Sequence, residues 1–164
     1  MHKKRHEVLN KLLHLPGTPP EEVLGESRSV AFIECDEKIP CNPCETSCPS
    51  GAIHIGEDIT ALPSFDYSKC TGCGLCIAKC PGLAVFVVNG SYSDETSLVS
   101  IPYEFIPLPE EGDEVIGIDR EGEDLCTCTV LSVKTNKAYD HTPIVSLIVP
   151  KEYRLHVRHI KLKL

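Results

Sequence analysis

The chain has no tryptophan, a single methionine and only 5% aromatic residues. That scarcity excludes a core built on large aromatic anchors and predicts that something else supports part of the fold. Long apolar runs are missing too. The longest, "LAVFVV" at residues 83–88, falls far short of the roughly 20 residues a helix needs to cross a bilayer. The basic start "MHKKRHEVLNKLLHL" is interrupted by Glu7, Asn10, Lys11 and His14, so it does not form the apolar stretch of a secretion signal. There is no glycine-rich phosphate loop, no serine nucleophile elbow and no HExxH, which removes the commonest nucleotide, acyl-transfer and zinc-protease chemistries. The seven histidines are scattered and read as ordinary solvated side chains. A net charge of −8 argues against general nucleic-acid binding. These absences predict a soluble cytoplasmic protein.

What the chain has in excess is cysteine, ten in 164 residues. In a reducing compartment clustered cysteines stay as thiols and read as metal ligands rather than disulfides. Charge is unevenly spread. Residues 104–124 carry nine Asp and Glu against the single Arg120, and residues 151–164 carry five Lys and Arg against the single Glu152. Such patches read either as solvated faces or as surfaces that steer docking.

Three regions follow: a leader at 1–28, a region at 29–100 with eight of the cysteines, and a cysteine-poor tail at 101–164. In the leader, Val8, Leu9, Leu12, Leu13 and Leu15 recur at helical spacing, predicting one amphipathic helix over 5–15 that "PGTPP" ends. In the tail, "EVIGID", "LCTCTVLSV", "IVSLIV" and "RHIKLKL" read as strands, with "EYRLHV" as a short helical turn. That order predicts a small β-barrel.

The middle region repeats itself. With Cys48 laid on Cys80, "CPSGAIHI" falls on "CPGLAVFV". Each half reads as strand, cysteine loop, short helical turn, strand, with pseudo-twofold symmetry. The second half contains an unbroken C-x2-C-x2-C-x3-C-P, "CTGCGLCIAKCP" at 70–81. The first, "CDEKIPCNPCETSCP" at 35–49, has Lys38 where a cysteine is expected and five residues between Cys35 and Cys41. Lysine cannot ligate as a thiolate does. Either the site keeps a vacant corner, as three-iron clusters do, or a lengthened loop brings Cys35 in. The duplication favours Cys35, which follows a strand as Cys70 does.

"CTGCGLCIAKCP" and "CNPCETSCP" together resemble the bacterial-type dicluster ferredoxins. The resemblance implies two 4Fe–4S clusters, in which the fourth cysteine of each run ligates the other cluster. Cys70, Cys73, Cys76 and Cys48 would hold one; Cys41, Cys44 and Cys80, completed by Cys35, would hold the other. The expected fold is α+β: a duplicated ferredoxin-like cluster domain with an N-terminal helix and a small C-terminal β-barrel. Cys126 and Cys128 are left over. With one residue between them on a strand, they share a face and read as half-buried thiols, with a redox or interface role as the alternative.

"IECDEKIPCNPCETSCPSGAI" and "VPKEYRLHVRHIKL" are also similar to the small ferredoxin-like subunits of multisubunit FAD-dependent amino-acid or amine dehydrogenases of the proline, hydroxyproline and opine type. This implies an electron-transfer subunit in a hetero-oligomer, without a substrate site of its own, served by a flavoprotein partner. A freestanding ferredoxin, a relay in a hydrogenase or 2-oxoacid oxidoreductase, and a sensor or assembly protein remain the alternatives.

Overall fold

The computed structural model describes residues 2–163, with side chains from residue 7 onward. Helix α1 spans His2–Leu13, starting earlier and stopping sooner than the expected 5–15. It stops where it does because Pro16 disfavours helical backbone at Leu15. Leu12 is buried, and Lys11 pairs with Asp36 at 2.5 Å, so the helix lies on its own chain beside the first cysteine loop. A four-residue helix α2, Glu21–Leu24, contributes Val23 and Leu24 to the core.

Two short strands, β2 (Ile53–His54) and β3 (Ser64–Phe65), pair with each other, and β1 (Val30–Ile33) pairs with β4 (Val85–Asn89). Helices α3 (Pro43–Thr46) and α4 (Leu75–Lys79) sit between them in sequence. The first half therefore reads β1–α3–β2 and the second β3–α4–β4, and each half lends strands to the other, as the repeat predicts. β5 (Thr96–Pro102), β6 (Glu114–Ile118), β7 (Asp124–Lys134), β8 (Ile144–Pro150) and β9 (His159–Leu162) follow. With β1 and β4 they form one antiparallel sheet in the order β1-β4-β5-β8-β7-β6-β9. The fold is thus a small α/β mixture with an antiparallel sheet and few helices.

Four tail strands lie where the sequence places them, and a helical turn at Lys151–Tyr153 overlaps the start of the one expected over "EYRLHV". β5 was not expected. Its Ser97 points inward, buried, with its hydroxyl donating to the Gly90 carbonyl at 3.0 Å, so the strand lacks a clean apolar alternation. β5 pairs with both β4 and β8, and the 100/101 division falls inside it.

β1 and β4 are apolar on both faces for a reason. Val30 and Phe32 of β1, with Phe86 and Val88 of β4, join the core under the tail strands. Their alternates Ala31, Ile33, Val85 and Val87 join a second core with Ile53 and Ile77. Alternation along a strand sends successive side chains to opposite faces, so this strand pair is a wall with the tail core on one side and the cysteine loops on the other.

The two charge patches meet. β9 pairs with β6, bringing Lys161 to Asp124 at 2.5 Å and Lys163 to Glu114 at 3.1 Å. Part of each patch is spent on the other. These exposed pairs each contribute under about 1 kcal/mol.

Candidate metal centres

The two cysteine runs fold alike. Cys41 precedes α3, Cys44 lies on it and Cys48 follows it; Cys73, Cys76 and Cys80 repeat this around α4. After each Cys-Pro the chain turns back. Gly51 and Leu83 donate to the carbonyls of Cys48 and Cys80 at 3.2 Å in both cases, and both have left-handed backbone, φ 60° and 52°. Leu83 thus adopts a conformation suited to glycine, which its counterpart supplies. One residue further on, the amides of Ala52 and Ala84 donate to the sulfurs of Cys48 and Cys80 at 3.3 and 3.4 Å. Cys70 Sγ accepts from the amides of Ala31 and Gly72, each at 3.4 Å. Amides aimed at a sulfur stabilise its thiolate form.

Two cavities divide the eight thiols. One, of about 260 Å³, is lined by Cys35, Cys41, Cys44 and Cys80. The other, with free space of only about 10 Å³, is lined by Cys48, Cys70, Cys73 and Cys76, and Cys73 is exposed at its edge. Each short helix sends one cysteine to each cavity: Cys44 and Cys76 lie on the helices, and Cys48 and Cys80 cross over. The loop 36–40 is exposed, and its Asp36, Glu37 and Ile39 line the first cavity. Cys35 lines that cavity and Lys38 does not; Lys38 instead acts on the exposed carboxylate of Asp58.

Burial and neighbouring groups act on the titration of several of these thiols. Burial, then the charge of Cys80, pushes the Cys44 thiol up to about 11. Burial, then the neighbouring Cys70 and Cys73, pushes the Cys76 thiol well above its usual value. Cys35 is raised chiefly by burial. At Cys48 burial also opposes ionisation, but donation from Ser50 and the amides of Ala52, Ser50 and Ile53 outweighs it and lowers the pKa. Four thiolates brought together repel one another, and bound iron would offset that cost. Among the described residues no three His, Cys, Asp or Glu side chains converge as a single ion requires. The thiols ring a space instead, and soft sulfur donors spread in this way suit an iron–sulfur cluster.

Gly72 shows how tightly the second cavity is held. Its φ is 68°, and a Cβ there would come within 2.6 Å of the Ser29 Cβ and carbonyl oxygen. Gly72→Ala is expected to cost more than about 2 kcal/mol, combining left-handed strain with a backbone collision. Gly51→Ala, equally left-handed but with open space around it, should cost about 1 kcal/mol. Thermal melts of the two variants check the difference; equal losses would refute the collision.

One feature the sequence reading missed flanks the first cavity. Glu34, which lines it, takes Arg120 Nε at 2.8 Å and Arg158 Nε at 2.9 Å. The Arg158 guanidinium lies between two rings, 5.1 Å from the centre of Phe32 and 4.7 Å from that of Phe86. Burial brings its pKa down to about 10, still charged at neutral pH. The only signal was Arg120 standing alone among carboxylates.

Comparison with known proteins agrees with the chemistry. The 4Fe-4S dicluster domain family matches residues 39–84, a span that begins after Cys35. The chain is 32% identical over 80 residues to the pyruvate synthase subunit PorD of Methanothermobacter marburgensis, covering 48% of this chain and 91% of that one. It is 39% identical over 72 residues to a selenate reductase subunit of Mesobacillus selenatarsenatis, covering 44% of this chain. It is 47% identical over 58 residues to a subunit of the ion-translocating oxidoreductase complex of Methanosarcina acetivorans, covering 35% of this chain. The chain spans only 24% and 20% of the length of these last two relatives. No solved structure matches it. These three relatives are subunits of redox systems, and none is a subunit of an amino-acid or amine dehydrogenase. Among the described residues no helix is long and apolar enough to cross a membrane. Paired cysteine runs, two thiol-lined cavities and a relative matched over nearly its whole length lead to one conclusion: the chain belongs to the 4Fe–4S dicluster ferredoxin family and carries two 4Fe–4S clusters.

Proposed function

We propose that this protein is the electron-transfer subunit of an oxidoreductase complex, relaying single electrons between a partner dehydrogenase and an acceptor. The supporting observation is the division of eight thiols, four and four, between two cavities bridged by α3 and α4. When bound, each cluster supplies a centre that takes up and releases one electron at a time. Cys35, Cys41, Cys44 and Cys80 hold one cluster; Cys48, Cys70, Cys73 and Cys76 hold the other. The backbone amides of Ala31, Gly72, Ala52 and Ala84 stabilise the sulfurs they point at, and such bonds help set the potentials. Exposed Ile39 at the first cavity and Cys73 at the second give each a side from which a partner can be reached. On this reading the chain carries electrons and leaves substrate chemistry to its partner.

The leader at 1–28 and the β module at 101–164, which we read as a small barrel, flank the cluster domain at 29–100. They suit a subunit fixed in a cytoplasmic hetero-oligomer better than a diffusing carrier. A flavin-dependent amino-acid or amine dehydrogenase is the first partner class, supported by the likeness of "IECDEKIPCNPCETSCPSGAI" and the tail segment. A 2-oxoacid oxidoreductase is the second, favoured by the pyruvate synthase relative.

Anaerobic purification from the native host, with mass spectrometry of co-eluting chains and flavin analysis, tests this. A stoichiometric flavoprotein establishes the first class. A flavin-free partner acting on 2-oxoacids establishes the second. A lone brown monomer that cycles reversibly overturns the subunit reading and leaves a freestanding ferredoxin.

A further inference from the structure

Eight of the ten cysteines line the two cavities; Cys126 and Cys128 do not. Both lie on β7, two positions apart, and their sulfurs stand 3.7 Å from each other. Cys128 is buried within the core under the tail strands. Cys126 is half-buried at its margin and so remains open to small reagents. The neighbouring strand makes room for them. Gly117 of β6 lies opposite Cys126, and a Cβ on it would come within 2.7 Å of the Cys128 sulfur. Its φ is not in the left-handed region, so the glycine is explained by the thiol above it and not by a turn. Beside Cys126 the ladder slips: Gly117 faces Cys126 and Ile118 faces Asp124, leaving Leu125 as an extra residue. A bulge of this kind bends and twists its strand, here immediately beside Cys126. The hydrogen bond between the two sulfurs favours the Cys126 thiolate over that of Cys128. Cys126 is also the sulfur a small disulfide can reach, so it attacks and the buried Cys128 follows.

We propose that Cys126 and Cys128 form a thiol–disulfide site, separate from the cluster cysteines, that exchanges with low-molecular-weight disulfides. The Cys126 thiolate attacks one sulfur of the incoming disulfide, expels one thiolate and becomes a mixed disulfide. Cys128 then attacks the Cys126 sulfur, its proton passing to the second thiolate as that leaves. The pair loses two electrons and two protons, and the small disulfide becomes two thiols. A bridge spanning two residues of one strand is strained, and strained bridges are readily reduced, so the site cycles.

The holoprotein is equilibrated anaerobically with mixtures of glutathione and its disulfide, alkylated, unfolded and digested with trypsin. Cleavage after Arg120 and Lys134 yields one peptide, residues 121–134, holding both thiols and no other cysteine. The expected result is a peptide that is doubly alkylated under reducing mixtures. Under oxidising ones it is two hydrogens lighter than the free dithiol and unalkylated, reversibly, with the visible cluster absorbance unchanged. In Cys128→Ser, a glutathione adduct should build up on Cys126. The proposal is overturned if the wild-type peptide stays doubly alkylated at every ratio or stops at the glutathione adduct. Bridging only where the cluster absorbance bleaches overturns it too.

Discussion

Cys35→Ser is expected to lower the iron content from about eight atoms per chain to about seven or about four, while the cluster served by Cys48, Cys70, Cys73 and Cys76 stays whole. The thiolate is the ligand that iron prefers, and a serine hydroxyl, harder and far less readily deprotonated, is a much poorer replacement. The remaining thiols of the first cavity, Cys41, Cys44 and Cys80, can still hold three corners, so a three-iron cluster or complete loss are the two outcomes of removing the fourth. The second cavity shares no cysteine with the first, so its spectrum should not change. Iron analysis with electron paramagnetic resonance of the oxidised and reduced protein reads both. Full iron with an unchanged reduced spectrum would show that Cys35 is not a ligand. Adding Lys38→Cys to the variant restores the regular spacing. Recovery of iron would then show that the deficit was a missing thiolate and not a misfolded loop.

Arg158→Met should lower the melting temperature by about 6–12 °C, the shift that a loss of about 3 kcal/mol produces in a chain of this size. Breaking a buried ion pair by removing one partner costs about 3–5 kcal/mol because the other charge is left in the dry interior. The lower figure applies here because Arg120 still reaches Glu34. The guanidinium also loses its contacts with Phe32 and Phe86. Combining the change with Glu34→Gln removes the stranded charge, so the double variant should be less destabilised than the two single losses summed. Glu34 directly precedes Cys35, so the cluster at the first cavity should decay before its neighbour when the variant is warmed. A melt within 1 °C of the parent would show that the network contributes nothing.

Much of the cluster region is legible in sequence because its order is local. Runs of two- and three-residue gaps fold into one tight loop whatever surrounds them, and the 32-residue repeat marks two copies of the same unit. Cys35 was reached from the same repeat, and it lines the cavity that Lys38 does not. Strand signals in the tail were read equally well where apolar and polar residues alternate. β5 was not, because Ser97 turns inward to the Gly90 carbonyl and breaks the alternation.

Pairings between distant residues were not legible. Glu34, Arg120 and Arg158 are far apart in the chain, and none carries a local mark of its partners. The opposite charges of 104–124 and 151–164 were visible, but only the β6–β9 ladder shows that they partly neutralise each other. Thiol chemistry, the duplicated loops and most of the strands follow from the chain's local order, since spacing and alternation act within a few residues. It takes the folded chain to make β1 and β4 a wall shared by the cysteine loops and the tail, to set Gly117 against Cys128, and to join the tail to the first cavity through a buried arginine. Such contacts depend on which surfaces meet when the chain closes on itself, and no local pattern encodes that.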